Sequence, residues 1–130
     1  MNTVELAALL PLCNGNKYPS YVTSSDLLNK IPLNKLPIQV IFNTQASHLP
    51  GNHWCSLLIY KIRGKINSIY FDSSCNSLDS YNIVLRFPHY AFAKFPVQRM
   101  NTRTCGLFAL YVLSRLSRNK NRIVHENIIY

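Results

Sequence analysis

Acidic side chains are scarce in this sequence. Five Asp and Glu stand against fourteen Lys and Arg, a formal net charge of +9 with a pI near 9.7. A surface of that sign is drawn to polyanions, nucleic acid first among them, although the same charge also serves solubility alone. Charged residues of both signs make up only 15 % of the chain, too few for long disordered tails. No apolar run approaches the roughly 18–20 residues that a bilayer span needs; the longest, Leu107 to Leu113, falls far short. No basic segment precedes an apolar stretch at the N-terminus, so a secretory leader is not expected. The four cysteines, at 13, 55, 75 and 105, include no CxxC pair, which leaves no structural-zinc spacing and predicts no metal. Without a leader a disulfide framework is not expected either, and the thiols read as reduced and the compartment as intracellular. No repeat, low-complexity tract or linker divides the chain. Its 130 residues, 48 % of them hydrophobic, suit one domain over 1–130 with a core of its own.

The apolar pattern predicts the elements. Thr3 to Leu10 reads as a short helix with Thr3 as N-cap, Glu5 in its first turn and Pro11 after its end. Ser24-Ser25 before Asp26-Leu27-Leu28 marks a second helical start, and Pro32 and Pro37 bracket a loop. Ile38 to Phe42 is strand-like. His53 to Tyr60 and Ile66 to Phe71 form a β-hairpin around Lys61-Ile62-Arg63-Gly64-Lys65. Leu78 to Phe87 reads as a helix stopped by Pro88, and Lys94 to Gln98 as a short strand. From Cys105 to Leu116 the chain is apolar almost all round, the mark of a buried helix. The expected fold is α+β: a small mixed or antiparallel sheet packed around a central buried helix that carries Cys105 at its N-terminus.

Chemistry enters at that helix. A thiol at a helix N-terminus feels the positive end of the macrodipole, which favours the nucleophilic thiolate. Gly106 beside it lets another chain approach the sulfur. A nucleophile needs a base, and His53 opens the first hairpin strand. If the turn falls at Arg63-Gly64, Ile62 pairs with Lys65 and Asp72 lies opposite Cys55. Asp72 is then the same-face diagonal neighbour of His53, roughly 7–8 Å away between Cα atoms. From there a carboxylate reaches the imidazole and fixes its tautomer. A one-residue slip would send Asp72 to the other face. Gln98, seven residues before Cys105, offers an amide donor for a developing oxyanion. Each of these residues has a blander reading on its own: an inert buried thiol, a surface histidine, a hairpin-end acid, a loop amide. His48 competes with His53 as base from a looser loop. His89 and His125 read as surface residues, and Cys13, Cys55 and Cys75 as structural thiols.

Taken in order, Gly51-Asn52-His53-Trp54, Tyr70-Phe71-Asp72-Ser73, Gln98 and Thr104-Cys105-Gly106-Leu107-Phe108 resemble the adenovirus-protease (adenain) family and its wider clan, which includes the SUMO-specific proteases. The resemblance covers about residues 4 to 118. It implies a thiol protease with Cys105 as nucleophile, His53 as general base, Asp72 as orienting carboxylate and Gln98 as oxyanion donor. Trp54 and Gly106 would lie along the substrate. Two departures stand out: Asp72 is Glu in adenain, although Asp is usual elsewhere in the clan, and the chain is much shorter than adenain.

The resemblance further implies endopeptidase cleavage of viral precursor proteins at Gly-Gly or Gly-X sites during virion maturation, in the host nucleus or the virion and at no membrane. No cofactor is required for the chemistry, while DNA and an activating peptide are cofactors that the family suggests. Arg115, Arg118, Lys120 and Arg122 form the clearest cationic cluster for DNA, or a solvated helix end. The same residues admit two other functions. One is an isopeptidase that removes ubiquitin-like modifiers, whose tails also end in Gly-Gly. The other is an inactive basic DNA-binding virion protein on the same fold.

Overall fold

A computed structural model of the chain describes residues 2–45, 53–92 and 104–118. Two α-helices, α1 (Thr3–Leu9) and α2 (Cys105–Arg118), accompany five strands: β1 (Ser20–Ser24), β2 (Ile38–Asn43), β3 (Trp54–Ile62), β4 (Lys65–Phe71) and β5 (His89–Ala91). The strands form one sheet in sequence order. The inner pairs β2–β3 and β3–β4 run antiparallel, and the outer pairs β1–β2 and β4–β5 run parallel. The α+β expectation with a mixed sheet holds.

The hairpin is built as its sequence predicts. Arg63 and Gly64 both have positive φ, 51° and 77°, the left-handed pair that a two-residue turn matched to the strand twist requires. Ile62 therefore pairs with Lys65, and the register runs on to Ser56 opposite Phe71. Alternation then divides the side chains of β3 between two cores. Trp54, Leu58 and Tyr60 join Leu6, Leu10, Ala109, Leu113 and Leu116 on the helical side, whereas Cys55, Leu57 and Ile59 join Val40, Phe42, Tyr70, Leu78 and Ile83 on the other. A sheet covered on both faces leaves β2 and most of β3 continuously buried rather than alternating, with Gln39, Asn43 and Ser56 as the polar residues among the apolar ones.

Several local expectations give way. The cap of α1 is Asn2, not Thr3: Asn2 Oδ1 accepts from the Glu5 N–H at 2.9 Å and the Glu5 carboxylate accepts from the Asn2 N–H at 3.1 Å, a reciprocal capping box. Pro11 does not end the helical path. It sits in the first turn of a 3₁₀ helix, Leu10–Asn14, where its missing N–H costs nothing. The helical start at Ser24-Ser25 is a 3₁₀ turn, Ser25–Lys30; β1 precedes it, and its half-buried side chains gave no apolar signal. The helix expected over Leu78 to Phe87 shrinks to one 3₁₀ turn, Leu78–Tyr81, closed by Asn82 in the left-handed region. Beyond it Ile83, Leu85 and Phe87 turn inward while Val84 and Arg86 face solvent, an extended alternation that a helix would break. Edge strand β5 is exposed along its length and showed no apolar run. The strand expected over Lys94 to Gln98 lies outside the described residues.

Helix α2 lies against the sheet and is not buried all round. Cys105, Ala109, Val112, Leu113 and Leu116 face inward, but Leu107 and Tyr111 are 53 % and 59 % exposed. The core on the helical side of the sheet thus rests on one stripe of α2. Leu113→Ala, at a side chain 1 % exposed, is expected to cost about 2–5 kcal/mol by opening a cavity. Leu107→Ala is expected to change stability by about 0.5 kcal/mol or less. Urea unfolding of the two variants checks the pair, and equal losses would refute this orientation of α2.

Candidate active site

The hairpin register carries Asp72 one residue past the end of β4 and holds it next to His53, one residue before β3. The His53 Nε2 lies 2.5 Å from Asp72 Oδ1, with the His53 side chain 18 % exposed and the carboxylate fully buried. The imidazole also acts on the Cys105 thiol, each shifting the pKa of the other. Cys105 is the first residue of α2 and is 4 % exposed. The Trp54 N–H donates to its Sγ at 3.4 Å. Three elements distant in sequence, the start of β3, the end of β4 and the start of α2, thus bring His53, Asp72 and Cys105 into one electrostatically linked cluster.

The electrostatics follow from these contacts. Burial by itself would raise the pKa of Cys105, but the hydrogen bond from His53, the Trp54 N–H and the charge of His53 together lower it below the ordinary thiol value. Burial would lower that of His53, but hydrogen bonds to Asp72, Cys105 and Cys55 push it up to about 12. Burial would raise that of Asp72, yet His53, the Tyr81 hydroxyl and the Ser74 N–H hold it low. These shifts favour a thiolate–imidazolium pair backed by an ionised carboxylate. The stability that His53 contributes is complete below its unfolded pKa of 6.5 and fades as pH climbs toward about 12. That of Asp72 is complete above 3.8 and fades as pH falls through its lower folded value.

Asp72 is the most heavily bonded group of the site. Besides His53 it accepts from the Ser74 N–H at 2.8 Å, the Asn76 N–H at 3.2 Å and the Tyr81 hydroxyl at 2.5 Å. None of these partners was identified from the sequence. The Asp-Ser-Ser turn residues after the strand were the available signal for the two backbone donors, since an aspartate there commonly accepts from N–H groups ahead of it. Tyr81 gave no signal at all.

The other expected residues divide. Trp54 packs in the same cluster as Cys105 but is 8 % exposed; its backbone touches the sulfur while its ring serves the core, which leaves little of it for a substrate. Gly106 is buried beside Cys105. Gln98, His48, His125, Lys120 and Arg122 lie outside the described residues. Arg115 and Arg118 are exposed on the last turns of α2, and the Arg115 guanidinium sits 5.9 Å over the Tyr111 ring. His89 is exposed, Cys55 is buried, and Cys13 donates to the Leu110 carbonyl at 3.5 Å.

One further constellation bears on metals. A ring nitrogen of His53, Cys55 Sγ and an Asp72 oxygen lie within 4.8 Å of one another. Both carboxylate oxygens are already engaged, however, by His53, the Ser74 and Asn76 N–H groups and the Tyr81 hydroxyl, and burial pushes the Cys55 thiol up to about 11. The donor set suits proton sharing.

No family model matches the chain, and no curated protein matches it in sequence. Among solved structures, AvrA with IP6 and CoA overlays with a TM-score of 0.59 at 16 % identity, covering 93 % of this chain and 52 % of AvrA. This chain therefore spans about half the length of that neighbour. The two share a fold, a mixed sheet with a helix packed against it. A protease of ASFV overlays at a TM-score of 0.42 and 15 % identity, over 71 % of this chain and 39 % of that one, a more partial likeness.

Because the shifts of Cys105 and Cys13 run in opposite directions, iodoacetamide at about pH 6 is expected to alkylate Cys105 at least about tenfold faster than Cys13. In Asp72→Asn this preference is expected to shrink. Peptide mapping by mass spectrometry reads both, and equal labelling of the two thiols in the wild type would refute the ion pair.

Proposed function

We propose that this protein is a cysteine peptidase in which Cys105 attacks the substrate carbonyl. The observation that carries the reading is the 2.5 Å contact between His53 Nε2 and Asp72 Oδ1, on an imidazole that also lowers the pKa of the thiol at the start of α2. In the reaction the Cys105 thiolate adds to the scissile carbonyl and the carbonyl electron pair moves onto oxygen. On collapse of that oxyanion the C–N bond breaks, and the departing amine takes the proton of the His53 imidazolium. Water, deprotonated by the now neutral His53, then splits the thioester and restores the thiol. Asp72 holds the imidazole in one tautomer through both halves. The N–H groups at the start of α2 and the Gln98 amide are the donors proposed for the oxyanion.

The finer reading rests on the motifs. Substrates are proteins cut after Gly-Gly or Gly-X, viral precursors above all, with ubiquitin-like conjugates as the alternative. A second chemistry shares the first half-reaction: AvrA was solved with CoA, and a thiolate that accepts an acyl group from a CoA thioester could pass it to an amine instead of water.

A vinyl-sulfone probe ending in Gly-Gly is expected to form one adduct, at Cys105, and Cys105→Ala is expected to abolish both adduct and peptidase activity with the fold intact. Activity surviving in Cys105→Ala would overturn the assignment. An acetyl thioester on Cys105 after incubation with acetyl-CoA, together with inertness toward the probe, would favour the transferase reading.

The +9 charge supports a role for DNA as a polyanionic cofactor. Sequence-independent binding is expected, with log K falling against log salt by about 0.9 per phosphate contacted. Neutralising Arg115, Arg118, Lys120 and Arg122 is expected to flatten that slope in an anisotropy titration. No binding at about 50 mM salt would leave the charge to solubility.

A further inference from the structure

The two oxygens of Asp72 are held from different sides. Oδ1 faces His53 and accepts from the Ser74 N–H at 2.8 Å. Oδ2 faces the loop and accepts from the Tyr81 hydroxyl at 2.5 Å and the Asn76 N–H at 3.2 Å. The Tyr70 hydroxyl also approaches Oδ2, at 3.4 Å, but it lies closer to the Asn76 carbonyl, at 2.8 Å, and its single proton goes there. The Tyr81 proton is steered the other way. The Asn76 side-chain amide donates to the Tyr81 oxygen at 3.2 Å, which occupies the oxygen as acceptor and leaves its O–H for Asp72. The phenol is anchored as well: its 3₁₀ turn is capped by Ser77 and closed by Asn82 in the left-handed region, and its ring lies 6.2 Å from the His53 ring.

We infer that Tyr81 is a positioning residue of this active site, acting through Asp72: its hydroxyl fixes the plane of the carboxylate so that Oδ1 presents to His53 Nε2. The inference rests on the peptidase reading and deepens it. A carboxylate can rotate about its Cα–Cβ and Cβ–Cγ bonds. The backbone donors at Ser74 and Asn76 belong to the same turn as Asp72 and move with it, whereas Tyr81 ties the group to a separate element nine residues on. A charge-assisted hydrogen bond to a buried anion is also among the stronger polar contacts.

Loss of that donor has a defined sign. The Tyr81 hydroxyl is one of the contacts that lower the pKa of Asp72, so its removal lets the carboxylate protonate at higher pH. The groups around Asp72 are His53 and Cys55 on the β3 side, Tyr70 on β4, and Cys75 and Tyr81 in the following loop. His89 of β5 faces it across a cavity of about 370 Å³, and Cys105 of α2 acts through His53. Among these, His53 supplies the positive charge that Asp72 must face, so without the Tyr81 hydroxyl the ion pair is lost, as pH falls, at a higher pH than in the wild type.

The test follows the alkylation rate of Cys105 by iodoacetamide against pH, read at that residue by mass spectrometry, with Tyr81→Phe beside the wild type. Tyr81→Phe keeps the ring and removes the hydroxyl. The expected result is an acid limb moved up by about one pH unit or less and a maximal rate lower by about threefold to tenfold, with a modest fall in the thermal midpoint as the buried carboxylate loses a donor. An unaltered profile would overturn the inference. So would a uniform loss at every pH with the acid limb unmoved, since that is what a packing residue gives. Should Tyr81→Phe fail to fold, Asn76→Ala, which removes the amide that steers the phenol, is expected to shift the acid limb in the same direction by a smaller amount, and no shift there would overturn it. Wild-type Cys105 that lacks low-pH reactivity would refute the peptidase reading itself; a normal wild type with an identical variant refutes only the role of Tyr81.

Discussion

The pairing of Ile62 with Lys65 across the Arg63-Gly64 turn sets the position of nearly everything that matters here. A β-strand sends successive side chains to opposite faces, so one residue of slip would carry Asp72 away from His53 and turn Cys55 and Trp54 toward the wrong cores. The turn resists slipping because two consecutive residues adopt positive φ, and because β3 is buried on both sides and would lose both packing arrangements at once. A local choice of backbone angles at an exposed turn therefore fixes a contact about eight residues away along each strand.

The site joins the two faces of the sheet. Trp54 packs with α2 on one face and Cys55 on the other, and His53, just before β3, lies at the end of the sheet between them. From that end its ring reaches Asp72 on one side and Cys105 on the other. The sulfur gains its character from three sources of different range: the imidazole, the Trp54 N–H and the start of a fourteen-residue helix. None alone overcomes the cost of burying a thiolate. Their convergence does, and the carboxylate behind the imidazole keeps the balancing positive charge in place.

Asp72 is in turn the point where the loop after β4 enters the site. Its backbone and phenol donors come from residues 74 to 81, a stretch that ends in the first turn of the helix expected over Leu78 to Phe87. A helix continuing to Phe87 would have directed Ile83, Leu85 and Phe87 by a 3.6-residue period, whereas the extended path gives each of them to the core beneath Tyr70 and Phe42. The short 3₁₀ turn leaves Tyr81 facing Asp72 and lets the chain proceed to β5.

The sequence by itself determined the hairpin, its register, the helix that begins at Cys105 and the candidate trio of His53, Asp72 and Cys105. These rest on local rules: an apolar period, a turn that demands positive φ, and residue types whose chemistry is evident by name. Gln98 belongs to the same reading but falls outside the described residues. What tertiary structure alone decided lay where local signals were weak or outvoted. Strands β1 and β5 form because a partner strand supplies hydrogen bonds that their own side chains do not announce. Leu107 and Tyr111 stay exposed because the sheet offers α2 one face to pack on. Tyr81 meets Asp72 because a loop path set by core packing, not by propensity, brings a phenol to the oxygen of a buried anion that His53 does not use. Contacts between residues so placed depend on where the chain goes in three dimensions, and a one-dimensional pattern carries no record of that.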